Sequence, residues 1–319
     1  MRILKDFKVP DFKFPKFKME GLEKIEEMQV EYDPQKQLEV KKDKRNYEPT
    51  TYQTIKEVFE QSSKLYKDRT FILEKFNHKD EKFTEITFGE FHDDVIGLGT
   101  GLDKVLNLKD KPVVIIGENT YQWYVSYMAM LCSEGIAVPV DKELPPNEIE
   151  NVIKRSKAAA VIYSKKKEEV IKKVKDNLPE VAYFIEMYSD EPVQGRDVGA
   201  NYVMQRGKEF VAAGVKDFEK VVIDPDEFKV LIFTSGTTSQ SKGVMICNRN
   251  LAENINAVSA YVKLTPEDRL FSVLPLHHTY ESTIGFLLPL ATGTSITVCE
   301  GLKYIVPNLK ETSPTAMLA

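Results

Sequence analysis

The chain has 319 residues, 42% of them hydrophobic and 29% charged, with a formal net charge of −5. That length suffices for one large domain or two ordinary ones, and the acidic balance gives no global electrostatic case for nucleic-acid binding. No apolar run approaches the roughly 18 residues that would span a bilayer, and the charged N-terminus lacks the apolar stretch of a signal peptide. Cys132, Cys247 and Cys299 all sit in apolar context without a short pairing spacing, so they read as buried small hydrophobes of a reducing, cytoplasmic compartment.

Residues 1–48 differ from the rest. Asp6-Phe-Lys-Val-Pro10, Asp11-Phe-Lys-Phe-Pro15 and Lys16-Phe-Lys-Met-Glu20 form a Phe-Lys repeat punctuated by prolines. Pro10 and Pro15 forbid a helix, and the alternation suits an extended arm with one apolar face. Such an arm packs over its own domain, or meets a membrane surface or a second copy in a homodimer. Gly21 to Arg45 reads as a charged linker or solvated helix.

From Thr50 the pattern becomes α/β. A helix is expected over Thr54 to Leu65, with Thr50 and Thr51 as candidate caps, then strands at Phe71–Leu73 and Phe83–Phe88. Thr87 caps a helix through Leu106. Val113–Ile116 reads as a buried strand, Gln122–Glu134 as a helix, Ala137–Val140 as a strand and Asn147–Ser156 as a helix. Ala158–Tyr163, the lysine-rich helix Lys165–Asp176 and Val181–Ile185 continue the alternation. Strands and helices in this order argue for mostly parallel sheet covered on both faces.

Val230–Phe233 reads as a buried strand that breaks into Thr234-Ser-Gly-Thr-Thr-Ser-Gln240, a stretch of hydroxyls with one glycine and one amide. Ser241-Lys-Gly243 follows, and Val244–Cys247 reads as a second buried strand. A loop with this many N–H and hydroxyl donors, with Gly236 allowing close approach and Lys242 adding charge, is a cradle for phosphate oxygens. It is not the loop of P-loop NTPases: Ser241 stands where the second glycine should be, Gly243 replaces Ser/Thr, and a strand follows instead of a helix. A Ser/Thr/Gly-rich surface turn is the bland alternative.

About thirty residues on comes Ser272-Val-Leu-Pro-Leu-His-His-Thr-Tyr-Glu-Ser-Thr283. Read as a strand, it sends His277 and His278 to opposite faces, and no cysteine or third histidine lies nearby, so a metal site there is disfavoured.

Thr-Ser-Gly-Thr-Thr followed by Ser-Gln-Ser-Lys-Gly-Val resembles the phosphate-binding signature of the adenylate-forming (AMP-binding) superfamily, which includes acyl-CoA synthetases, adenylation domains of peptide synthetases and beetle luciferases. Ser239 and Ser241 depart from it, since most members carry glycine and proline there, and this puts the loop's rigidity in doubt. The Leu-Pro-Leu-His-His segment resembles the family's next core motif, with Glu281 similar to long-chain fatty acyl-CoA synthetases. Gly117-Glu-Asn-Thr-Tyr-Gln-Trp123 and Gly135-Ile-Ala-Val-Pro-Val140 resemble its earlier segments, and on pattern alone both are core packing.

The resemblance implies an α/β fold, the superfamily's large N-terminal domain over residues 49–319, with mixed, mostly parallel sheets flanked by helices. It implies ATP-dependent activation of a carboxylic acid, a long-chain fatty acid, to acyl-AMP, then transfer to CoA. Thr234, Ser235, Gly236, Thr237, Thr238, Ser239, Lys242 and Gly243 would hold the nucleotide, with Thr238 on Mg2+. Lys242 and His278 would be catalytic, and His278, Tyr280 and Glu281 would line the acid site. A carrier protein as acceptor, or a non-catalytic nucleotide-binding protein, are the alternatives. Thr315–Ala319 reads as the middle of a buried strand. The resemblance would continue with an adenine-binding segment, a ribose-binding aspartate, a hinge and a C-terminal lysine domain, so the chain is expected to be an N-terminal piece, inactive alone.

Overall fold

The protein is described from a computed structural model that covers residues 47–48, 50–234 and 241–318. The Phe-Lys arm, the charged stretch to Arg45 and the loop Ser235 to Gln240 lie outside the described residues. In chain order the elements are α1 (Ile55–Leu65), β1 (Thr70–Glu74), β2 (Thr84–Thr87), α2 (Phe88–Lys104), β3 (Pro112–Ile116), α3 (Tyr121–Leu131), β4 (Ile136–Val140), α4 (Pro146–Ser156), β5 (Ala160–Tyr163), α5 (Glu168–Lys175), β6 (Tyr183–Glu186), β7 (Asp197–Gly199) and α6 (Ala200–Ala212). There follow β8 (Phe228–Thr234), β9 (Lys242–Cys247), α7 (Asn248–Ser259), β10 (Arg269–Ser272), α8 (Leu288–Thr292), β11 (Ser295–Val298), α9 (Ile305–Thr312) and β12 (Ala316–Met317).

Two sheets form. The seven-stranded one runs β7-β6-β5-β3-β4-β8-β9, parallel except for the antiparallel β8–β9 hairpin. The five-stranded one runs β12-β10-β11-β1-β2, parallel except for β1–β2. Alternation along β3 explains the layers. Val113 and Ile115 join the main apolar cluster with α2, α3, α6 and residues of β1 and β11, whereas Val114 and Ile116 join a second cluster with α4 and α5. Helices therefore lie between the sheets and also cover the far face of the larger one. This is the mixed, mostly parallel architecture flanked by helices that the sequence leads one to expect. α3 (YQWYVSYMAML) is buried along its whole length, as a helix apolar all round must be. Phe286 packs against Tyr124, Phe71 and Phe91 where the layers meet.

Several expectations need correction. The cap of α1 is Thr54, whose side chain accepts the Glu57 N–H while Glu57 reciprocates. Thr50 instead donates to Asn256 Oδ1 at 2.9 Å, so it pins the chain to α7. β9 is an exposed edge strand, with Val244 43% and Met245 65% exposed, because among the described residues only β8 pairs with it. β12 is likewise an edge strand of the smaller sheet, with Met317 47% exposed. The lysine-rich helix starts as a 3-10 turn, Lys165–Lys167, before α5. Cys132 and Cys299 are buried free thiols, but Cys247 is half-buried at the start of α7.

Candidate active site

Carboxyl ends of parallel strands gather ligands where neighbouring connections leave in opposite directions. β4 continues through α4 to β5 on one side, while its neighbour β8 turns into β9 on the other. The residues at that switch are Asp141, just past β4, and Thr234, at the end of β8.

The hairpin register sets Lys242 opposite Thr234 and Gly243 opposite Phe233, so candidate residues on either side of the polar loop face each other. Thr234, Lys242 and Gly243 are all exposed. Ser235, Gly236, Thr237, Thr238 and Ser239 lie outside the described residues. At the root of the hairpin Lys229 is fully buried, and its ammonium donates to the carbonyls of Ser133 at 2.5 Å and Gly135 at 3.0 Å. Burial lowers its pKa below the usual lysine range.

The histidine segment is a turn, not a strand, because β10 ends at Ser272. His277 and His278 nevertheless diverge. His277 is half-buried with Nε2 3.6 Å from Asp141 Oδ1. Its pKa is lowered, burial outweighing the carboxylate. His278 is exposed, and its Nδ1 accepts the Tyr280 N–H at 3.3 Å. Tyr280 is 46% exposed. Among the described residues no group of three or more His, Cys, Asp or Glu could hold a metal ion.

Glu281 opens a π-helical turn, Glu281–Leu287, and is completely buried. Ser272 Oγ donates to its Oε1 at 2.6 Å, while Tyr124 Oη donates to Ser272 at 2.9 Å. Its other oxygen has no hydrogen-bond partner among the described residues. Burial pushes this carboxyl up to about 7. Glu281 thus sits in the interior, in contact with Ser272, while His278 and Tyr280 stand at the surface of the same turn.

Three polar residues that organise this region escaped the sequence reading. Asn119, past the end of β3, donates to Leu274 O at 2.7 Å and Ser272 Oγ at 3.1 Å, and its Oδ1 accepts the Leu276 N–H at 3.1 Å. Asp141 faces His277. Glu74, the last residue of β1, accepts the Tyr121 N–H at 2.6 Å and so caps α3, whose Thr120 makes no side-chain cap. Burial lifts Glu74 to about 7, against the hydrogen bonds from Tyr121 and Tyr188. The signal was position: each is a polar residue at the carboxyl end of a strand, and Asn119 falls within a stretch read as core packing.

A family model described as "AMP-binding enzyme" matches residues 59–319. Long chain acyl-CoA synthetase 4 of Arabidopsis thaliana is 26% identical over 274 residues, covering 82% of this chain and 41% of that protein. A chloroplastic long-chain-fatty-acid–acyl-carrier-protein ligase of the same plant is 21% identical over 283 residues, 84% of this chain and 38% of its own length. A CoA ligase of Gibberella moniliformis is 31% identical over 188 residues, 58% of this chain and 28% of its own. The chain thus spans less than half the length of these curated relatives. A long-chain-fatty-acid-CoA ligase structure from Archaeoglobus fulgidus superposes with a TM-score of 0.70 at 19% identity, over 85% of this chain and 53% of that one, which speaks for the fold alone.

Proposed function

Because the chain belongs to the AMP-binding enzyme family, we propose that it supplies the nucleotide- and acid-binding part of a ligase that activates a long-chain fatty acid as acyl-AMP and transfers it to CoA. The observation that carries this reading is the hairpin register, which sets Lys242 across from Thr234 at a switch point between β4 and β8. A carboxylate oxygen attacks the α-phosphorus of ATP, the bond to the β-phosphate oxygen breaks, and pyrophosphate leaves. Two anions must approach, so donors from Thr234 through Ser239 and at Gly243, with the Lys242 charge, screen the repulsion. An imidazole N–H of His278 orients the carboxylate, and Tyr280 lines its approach. In the second step a thiol attacks the acyl carbon and AMP leaves.

The Thr238 hydroxyl would offer an oxygen to Mg2+ bound with the triphosphate, and that cation would supply further screening of the phosphate charge. A carrier protein is the second candidate for acceptor, favoured by the chloroplast relative aligned over 84% of this chain. The three free cysteines suit a cytoplasmic setting, and the Phe-Lys arm suits peripheral membrane contact or pairing with a second copy.

Acid-dependent ATP–pyrophosphate exchange tests the reading, on this chain and on any longer product, with acids from acetate to long-chain fatty acids. Exchange strongest with long acids is the expected result, with this chain silent alone. Lys242→Ala should lower exchange by about 100-fold or more. A folded long form that binds ATP but exchanges with no acid would leave only a nucleotide-binding protein.

A further inference from the structure

β8 is joined to β4 by one ladder pair, Ala137 opposite Val230, and among the described residues Leu231 to Thr234 pair with β9, itself the exposed edge. Ile232 packs against the main apolar cluster and Leu231 and Phe233 against the second, so side chains on both faces hold the tip that carries the polar loop. Arg155 reaches this tip from the last turn of α4. Its Nη1 donates to the Ser241 carbonyl at 2.8 Å and lies 3.1 Å from the Ser241 hydroxyl. The same guanidinium lies 5.0 Å from the centre of the Phe233 ring, within cation–π range. Phe233 precedes Thr234 and Ser241 precedes Lys242, so one planar cation touches the residues just behind both ends of the loop.

The backbone behind Arg155 is firm. Ile149, Val152 and Ile153 bury the opposite side of α4 in the second apolar cluster, and Leu231 and Phe233 pack against that same cluster. Ser241 is also the position where the resembled signature mostly carries proline. A proline stiffens a chain by fixing φ, and serine does not. What serine adds is a hydroxyl that a guanidinium can hold alongside the carbonyl.

We propose that Arg155 is a positioning residue for the phosphate-binding loop: it braces Ser241 against α4, fixes Lys242 opposite Thr234, and supplies in this chain the stiffness that a proline would give. The proposal rests on the nucleotide-binding reading above, and its test has an arm that does not. The experiment compares wild type, Arg155→Ala, Arg155→Lys, and Arg155→Ala combined with Ser241→Pro, in the full chain. It reads amide hydrogen exchange across β8 and β9, the dissociation constant for Mg-ATP, and the melting temperature. Arg155→Ala should speed exchange at the hairpin tip and weaken ATP binding, each by about fivefold, as expected for one lost charge-assisted hydrogen bond. The melting temperature should stay put, because Arg155 is exposed. Lysine should recover only part, since it lacks the planar fork, and the added proline should restore both readouts. Unchanged hairpin exchange in Arg155→Ala overturns the brace. So does an affinity loss that proline fails to repair, which would make Arg155 a direct phosphate ligand. If wild type binds no ATP, the functional reading falls and hydrogen exchange alone decides the brace.

Discussion

Two buried carboxyls make the stability of this protein depend on pH in a direction opposite to that of an ordinary surface acid. Glu281 and Glu74 both have pKa values raised from 4.5 to about 7, with burial as the leading cause. The folded state therefore holds these protons more tightly than the unfolded chain does. Their stabilising contribution is complete below about pH 4.5 and is lost as pH rises through about 7. Glu281 is the more exposed to this loss, because one of its oxygens has no hydrogen-bond partner among the described residues and the other depends on Ser272. Replacing it by glutamine removes the ionisation while keeping an acceptor for the Ser272 hydroxyl. Glu281→Gln should raise the urea midpoint at pH 8 by an amount corresponding to at most about 3 kcal/mol. It should also flatten, without abolishing, the fall in stability between pH 5 and 8, since Glu74 remains. An unchanged slope in the variant would mean that Glu281 is already ionised in the folded protein.

At the level of elements, α2 and α6 pack backbone to backbone. A Cβ on Gly207 of α6 would overlap the Gly97 carbonyl and the Gly101 nitrogen of α2, and one on Gly101 would overlap the Val203 carbonyl. In an isolated helix, glycine to alanine stabilises by about 1 kcal/mol. Here overpacking should win, so Gly207→Ala is expected to destabilise by about 1–3 kcal/mol, read as a lower urea midpoint. A gain instead would show that the seam has room. The same pair shows what a linear reading can and cannot reach. The helix through Gly97-Leu-Gly-Thr-Gly101 was legible from its cap, Thr87 with Glu90, and from its apolar spacing. The meaning of its glycines was not, because it depends on the approach of α6, a contact between segments far apart in sequence. The hairpin was readable from its apolar runs, but not that β9 is an edge, since edge or centre is decided by which other strands arrive. His278 and Lys242 stood out by motif, whereas Asn119, Asp141 and Arg155 act through partners 86 to 157 residues away in sequence, where apolar spacing carries no information.

In the molecule as a whole, the candidate site joins two sheets, and Asn119 is the clearest tie between them. It leaves β3 of the larger sheet and holds the turn that follows β10 of the smaller one, through three groups at once: the Ser272 hydroxyl, the Leu274 carbonyl and the Leu276 N–H. Tyr124 on Ser272 and Glu74 on Tyr121 make parallel links, so the sheets would stay together without Asn119. The turn carrying His277 and His278 would lose its hold on β3. Asn119→Ala should then cost about 1–3 kcal/mol, the range for leaving part-buried backbone groups unpaired. The Leu276 amide should exchange roughly tenfold faster, and in an active long form acid-dependent exchange should fall with it, because His278 loses its fixed place. Asn119→Asp separates the contributions. Its carboxylate still accepts the Leu276 N–H, so that amide should stay protected, yet both donors are gone and stability should drop as in the alanine variant. If Leu276 is as protected in Asn119→Ala as in wild type, the turn is held by its own hydrogen bonds, His278 N–H to Pro275 O and Ser282 N–H to His278 O, and the two sheets do not share the site through Asn119.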